Sequence, residues 1–214
     1  MTAAPEPDLS PLRLVSRRRL ADDIHEFVLA RDDGAELPPF SPGSHLRLRT
    51  PNGLVRCYSL CNAPSERNRY VVAVKRDAGG RGGSMSLIDE AKVGDQIAVS
   101  EPRTAFPFEE RPGGVLFIAG GIGVTPLLSM ARHLIETDGG PFRFVYLTRS
   151  PETTAYRDEL AGEGFRGRVT FHHDGGDPAK AFDLWPLLER PKGQVYCCGP
   201  RFLMDAVRDM TGHW

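Results

Sequence analysis

"IAGGIGVTPL", residues Ile118–Leu127, decides how this chain is read. Gly120, Gly121 and Gly123 crowd directly behind the apolar run Val115–Ala119. Glycine loses more backbone freedom on ordering than any other residue, so this density asks what the main chain must approach so closely. A short run that is apolar almost throughout is a strand covered on both faces. Thr125 is the expected N-cap of the helix that follows, and Pro126 suits its first turn. A glycine loop at a helix N-terminus offers free N–H donors and the positive end of a dipole, which together suit a phosphate. A tight turn with no ligand is the alternative, because glycine fingerprints have many false positives.

The spacing Gly121-x-Gly123-x-x-Pro126 departs from the dinucleotide fingerprint by a proline in the third glycine's place. The next strand ends in Thr148-Arg149 rather than in an acidic residue, which disfavours an ordinary Rossmann dehydrogenase. Downstream, strand and helix signals alternate. Strand "RFVYLT", helix "TAYRDELAG", strand "VTFHHD", a short helix around "LWPLLE", strand "QVYCCG" and helix "PRFLMDAVRDM" follow in turn. That alternation implies right-handed crossovers and a parallel sheet. The sequence stops at Trp214, just past a helix, with no residues left for the strand expected next. The last strand of this nucleotide-binding domain is therefore expected to be missing. A fragment of a longer protein is favoured, since an incomplete sheet edge invites aggregation.

Upstream the rhythm is different. "LRLVS", "IHEFVLAR", "HLRLRT", "RCYSLCN", "RYVVAVKR" and "DQIAVSEP" are short and mostly alternating, separated by turns such as "PNG", "AGGRGG" and "KVGD". Closely spaced strands with turn signals predict a six-stranded antiparallel β-barrel. One helix, from about Ser84 to Ala91, interrupts them, with a serine as candidate N-cap. The composition shift at Phe108–Gly114 divides the chain into residues 1–110, the barrel, and 111–214, the α/β domain.

Composition excludes several classes. The formal net charge is −1, which gives no reason to expect nucleic acid or a membrane surface. The cluster Arg17-Arg18-Arg19 sits between apolar residues and is read as a solvated strand or turn edge. The leading "MTAAPEPDLSP" has neither a basic nor an apolar segment of a signal peptide and reads as a short disordered lead. No run is long enough to span a membrane, so a cytoplasmic protein is expected. Cys57, Cys61, Cys197 and Cys198 fit neither a zinc pattern nor an iron–sulfur run, so no metal is expected and disulfides are disfavoured.

Three further stretches carry chemistry. In "RCYSL", Arg56, Tyr58 and Leu60 share one strand face, pairing a fork for phosphate with a flat apolar ring. An ordinary barrel strand is the alternative. "GRGGSMS", Gly80–Ser86, again sets glycines before a helix, a second phosphate candidate. "YCCGP", Tyr196–Pro200, ends a strand with a thiol. In a parallel sheet the carboxyl ends of strands face the ligand crevice, so Cys198 is expected at the same edge as the Gly120–Gly123 loop. A buried cysteine acting as a small apolar residue is the alternative. His172, His173 and Asp174 close another strand at that edge and read as packing or surface residues ahead of a ribose contact.

Taken together and in order, "RCYSLCN", "VVAVKRD", "GRGGSMS", "IAGGIGVTP", "TRSPE" and "YCCGP" resemble the phthalate dioxygenase reductase family, within the wider ferredoxin-reductase-like flavoproteins. The resemblance covers nearly the whole chain and is to the version that holds FMN rather than FAD. It implies that Arg56 and Ser84, with Gly82 and Gly83 in their loop, bind the flavin phosphate. Tyr58 would pack on the isoalloxazine, Ser59 would lie near its reactive N5 edge, and Val74 and Lys75 would lie along it. Gly121, Gly123 and Thr125 would meet NADH, Thr148 and Arg149 would flank its adenosine half, and Cys198 would sit beside the nicotinamide. Ser59 and Cys198 are thus the implied catalytic residues.

The resemblance further implies an oxygenase reductase that takes a hydride from NADH and releases electrons to an iron–sulfur acceptor. The partners would be a ferredoxin domain or protein with a two-iron two-sulfur cluster, absent from this chain, and a Rieske-type terminal oxygenase or demethylase. The residues leave two other readings open. One is a stand-alone NAD(P)H:flavin reductase, for which flavin is a dissociating substrate; in either reading NADH and NADPH stay open, because Arg149 could face a 2′-phosphate. The other is a flavin or nucleotide carrier subunit without turnover.

Overall fold

The computed structural model describes residues 8–190 and 192–214, and the leading segment read as disordered lies mostly outside them. Strands β1 (Ser10–Ala21), β2 (Ile24–Ala30), β3 (Ser44–Arg49), β4 (Val55–Ser59) and β5 (Tyr70–Lys75) precede helix α1 (Gly83–Glu90). Strands β6 (Gln96–Val99) and β7 (Arg103–Thr104) complete the first sheet. All its ladders are antiparallel. Alternation fixes the faces: in β3, Ser44, Leu46 and Leu48 are buried while His45, Arg47 and Arg49 are half-exposed.

The expected closed six-stranded barrel is corrected to a seven-stranded sheet, ordered β4-β3-β6-β1-β2-β5 with the two-residue β7 on β3. Its ends, β4 and β5, meet only at the isolated bridge Leu60–Val72, beside a 2.8 Å bond from Cys61 N to Val71 O. The ladder stops there for a local reason. The Asn62 side chain takes the Val71 N–H at 3.0 Å, so that donor is not available to a further strand partner.

The second sheet is parallel, ordered β10-β9-β8-β11. It is built from β8 (Val115–Gly120), β9 (Phe142–Thr148), β10 (Val169–His173) and β11 (Gln194–Cys198). Helix α2 (Val124–Glu136) follows β8, α3 (Arg157–Leu160) and α4 (Trp185–Leu188) are single turns, and α5 (Arg201–Thr211) follows β11. Strand β8 is covered on both sides, as its apolar run predicts. Phe117 and Ala119 pack with Leu127, Met130 and Ala131 of α2, and Ile118 packs with Leu184, Leu188, Leu203 and Val207. The helix read at "TAYRDELAG" shrinks to α3 because Tyr156 takes a left-handed φ of 56° directly before it.

The α2 core does not stop at the parallel sheet. Ala21, Ile24, Val28, Val71 and Ala73 of the first sheet join the same buried cluster as Val124, Leu127 and Tyr156. Among the described residues no helix is long and apolar enough to cross a membrane.

Candidate functional site

Strand β4 places Arg56 opposite Leu48 and Tyr58 opposite Leu46, on one face of the sheet, with Ser59 opposite His45 on the other. Arg56 donates Nη1 to the Val55 carbonyl at 2.8 Å, and its Nη2 is buried without a partner. A buried guanidinium nitrogen left unpaired is costly, and an anion could supply its missing partner. The N-terminus of α1 lies against it. A Cβ on Gly83 would meet Arg56 Cγ at 2.9 Å and Nε at 3.0 Å.

Helix α1 begins differently from the serine cap expected. Its N-cap is Gly82, in the left-handed region at φ 83°, and Ser84 stands inside the first turn. A β-carbon disfavours that φ, which is why a glycine holds the position. Ser84 Oγ accepts from Asp77 N at 3.1 Å, so its hydrogen remains free to donate. The first helical N–H groups have no intrahelical acceptor. Guanidinium, hydroxyl and helix N-terminus thus converge on one small region, and this donor set fits a phosphate. Sequence reasoning missed Asn52, whose Nδ2 donates to Gly82 O at 3.3 Å and whose main-chain N–H donates to Ser86 Oγ at 2.9 Å. The "PNG" turn that carries it was legible only as a turn.

Tyr58 is half-buried against the sheet core, and burial raises its hydroxyl pKa, so it stays a neutral ring with a polar tip. Val74 is 1% exposed among core residues, which leaves only its main chain to offer. Lys75 is held by Asp23 at 3.3 Å.

The glycines of the opening stretch divide by task. Gly121, at φ 52°, has nothing within 4 Å of its would-be Cβ and borders open space. Gly123 faces the other way: a Cβ there would fall 2.0 Å from Cys198 O. Gly120 and Gly199 back onto each other, with a Cβ on Gly199 2.9 Å from Gly120 Cα. The density of glycine is therefore needed first to let the loop lie on the end of β11. Thr125 is not the N-cap. That place belongs to Gly123, and Thr125 Oγ1 donates back to Ile122 O at 3.0 Å from within the first turn.

The register Cys198–Ala119 sets Cys198 beside this loop, at the carboxyl edge of the sheet. Burial raises its thiol pKa, so near neutrality it is a thiol and not a thiolate. Thr148 is buried, its Oγ1 bonded to Thr154 Oγ1 at 2.7 Å and to His173 Nδ1 at 2.8 Å. Arg149 is exposed and lies 3.9 Å from the Cβ position of Gly176. His172 bonds Lys180 O at 2.7 Å, and Asp174, just past β10, accepts from Gly176 N, so both make local hydrogen bonds. Among the described residues no group of three or more His, Cys, Asp or Glu could hold a metal ion.

Donors suited to a phosphate on an antiparallel sheet, with a glycine loop on a separate parallel sheet, suit a flavin- and nicotinamide-nucleotide oxidoreductase. Comparison with known proteins agrees: residues 11–108 match the oxidoreductase FAD-binding domain and residues 117–209 the oxidoreductase NAD-binding domain. The chain belongs to the phthalate dioxygenase reductase family. It is 52% identical over 216 aligned positions to phthalate dioxygenase reductase of Burkholderia cepacia, covering all of this chain and 67% of that protein. It is 51% identical to the phthalate 4,5-dioxygenase oxygenase reductase subunit of Pseudomonas putida, covering 95% of this chain and 63% of the relative. A solved phthalate dioxygenase reductase, described as a modular structure for electron transfer from pyridine nucleotides to [2Fe-2S], superposes with a TM-score of 0.94 at 53% identity. That match covers 96% of this chain and 65% of the other, so the chain spans about two thirds of the length of these relatives.

Proposed function

We propose that the chain binds FMN on its antiparallel sheet and NADH at its parallel sheet. In this reading it is the reductase part of a multicomponent oxygenase or demethylase, delivering electrons to a two-iron two-sulfur ferredoxin. The observation that carries it is the buried, unpaired Arg56 Nη2 at the mouth of α1. A single convergent cradle suits the terminal phosphate of FMN better than the internal pyrophosphate of FAD.

FMN, when bound, supplies acceptance of a hydride and release of single electrons. The protein's residues supply geometry. Arg56, Ser84 and the α1 N–H groups hold the phosphate end, and Tyr58 offers a flat apolar face to the ring. The Gly121–Gly123 loop at the start of α2 receives the dinucleotide phosphates. Cys198, kept neutral by burial, presents a small, polarizable side chain against the nicotinamide without placing a negative charge there. Ser59, at the end of β4, is the hydroxyl nearest in sequence to the tyrosine and is assigned to the flavin N5 edge.

The test is anaerobic addition of NADH to FMN-loaded protein. Loss of the yellow flavin absorbance is expected, and a flavin that is never reduced would leave only a carrier. Flavin retained through gel filtration separates this reading from a reductase for which flavin is a dissociating substrate. Ferredoxin-dependent reduction of an oxygenase tests the acceptor.

A further inference from the structure

Hydride transfer requires donor and acceptor atoms about 3–3.5 Å apart, and an error of roughly 1 Å costs on the order of a hundredfold. Here the two partners would be held by different sheets, so something must fix the register between those sheets. Two and three residues beyond β4 the chain reaches Cys61 and Asn62. Asn62 is fully buried and ties its own loop together: Nδ2 lies 3.4, 3.4 and 3.1 Å from the carbonyls of Ala63, Glu66 and Arg69, and Oδ1 takes Val71 N–H. Helix α2 bonds this stiffened segment twice. Ser129 Oγ donates to Asn62 O at 2.9 Å, and Arg132 Nη1 donates to Cys61 O at 2.6 Å.

Arg132 makes three connections. Its Nε and Nη2 fork onto Glu159 at 2.8 and 2.6 Å, and its guanidinium lies 5.5 Å from the centre of the Tyr156 ring. Burial opposes its charge, but the Glu159 fork outweighs that and raises its pKa. One planar group thereby joins β4's exit, α2 and α3. Ser129 and Arg132 stand three residues apart on α2, on one face of the helix, and α2 starts at the glycine loop. From Arg132 back to Gly123 is about 13 Å of continuous helix at 1.5 Å per residue. From Cys61 back to Tyr58 is about 10 Å of extended chain.

We propose that Arg132 is a positioning residue: with Ser129 it clamps the carbonyls of Cys61 and Asn62 and so sets the nicotinamide end of the second sheet over the flavin face of the first. The clamp rests on the flavin and NADH reading for what it aligns, but its mechanical part stands on the bonds alone. The shared apolar core holds the two sheets together regardless, so loss of the clamp loosens their register without separating them.

Arg132→Lys tests this, because an ammonium keeps the charge but cannot serve Cys61 O and the Glu159 fork in one plane. In the apo-protein, amide exchange of residues 61–71 is expected to quicken roughly tenfold or more while β8 stays protected. In the FMN-loaded variant the limiting rate of flavin reduction at saturating NADH is expected to fall roughly tenfold or more, with FMN affinity and reduction by dithionite unchanged. Ser129→Ala should act in the same direction and couple to Arg132→Lys in a double-mutant cycle. Unchanged exchange in both variants, or a limiting rate per bound flavin within about twofold of wild type, overturns the clamp. If NADH fails to reduce wild-type flavin, the proposed function falls, and the apo exchange result still decides whether the clamp exists.

Discussion

Replacing Arg56 by alanine probes the phosphate cradle most directly. Three consequences can be worked from the structure. The mutation deletes a buried nitrogen that has no internal partner, so the apo-protein loses no hydrogen bond through Nη2 and gives up only the Nη1 bond to Val55 O. It deletes the stem that packs on Gly83, leaving the α1 N-terminus less supported. It removes a charged donor from the anion, and hydrogen bonds to charged groups are worth about 1.5–3 kcal/mol. At 1.4 kcal/mol per tenfold, FMN should bind roughly 10- to 150-fold more weakly. The assay is titration of FMN into apo-protein, followed by quenching of flavin fluorescence, beside riboflavin, which has the ring but no phosphate. Riboflavin affinity should change little. Unchanged FMN affinity, or an equal loss for riboflavin, refutes the reasoning, since either would mean that Arg56 does not meet the phosphate.

The remaining expectations are separate tests. Cys198→Ala should leave FMN bound but slow flavin reduction at saturating NADH by up to about a hundredfold, read by stopped-flow, since only nicotinamide placement changes. Gly123→Ala sets a Cβ 2.0 Å from Cys198 O, main chain that cannot step aside, and should cost about 4 kcal/mol or more of stability in a denaturant melt. Cys61 is fully buried with its thiol pushed up to about 12, and Cys197 is pushed up to about 11, in each case chiefly by burial. At pH 8 a thiol reagent should therefore modify the exposed Cys57 first, and all four cysteines only after unfolding. The same raised thiols lose stability as pH climbs. The unfolded thiol ionises near its ordinary 9.0 while the folded Cys61 keeps its proton, so melting temperature should fall above that pH, less steeply in Cys61→Ala.

The strands were legible because each carried its period. "HLRLRT" alternates and "VLFIAG" does not, and the two belong to a one-face sheet and a covered sheet as those patterns require. Barrel closure was not legible, because it turns on where one side chain, Asn62, spends its oxygen. Strand β7, two residues long, is too short to show a period at all. Both helix caps were misread for a common reason. Serine and threonine are the usual caps, but here glycines hold those places. Gly82 needs a left-handed φ, and Gly123 needs room against Cys198 O.

The packing of these glycines changes what the opening motif means. Read as sequence, the glycines of "IAGGIGVTP" are spent on a ligand. In the structure Gly123 lies against the end of β11 and Gly120 against Pro200 and Leu203 just beyond it, and of the three only Gly121 borders open space. The proposed nucleotide site would thus be built by packing the end of β11 against the loop, so the position of Cys198 and the conformation of the loop are one structural unit. The same logic runs through α2. Its first turn opens at that loop, and its third carries the arginine that grips the exit of β4. A substitution at Arg132 should therefore be felt at the glycine loop as a change in how the two sheets are aligned, while FMN affinity stays as it is. The helix between them is buried along most of its length and has little freedom to absorb a shift.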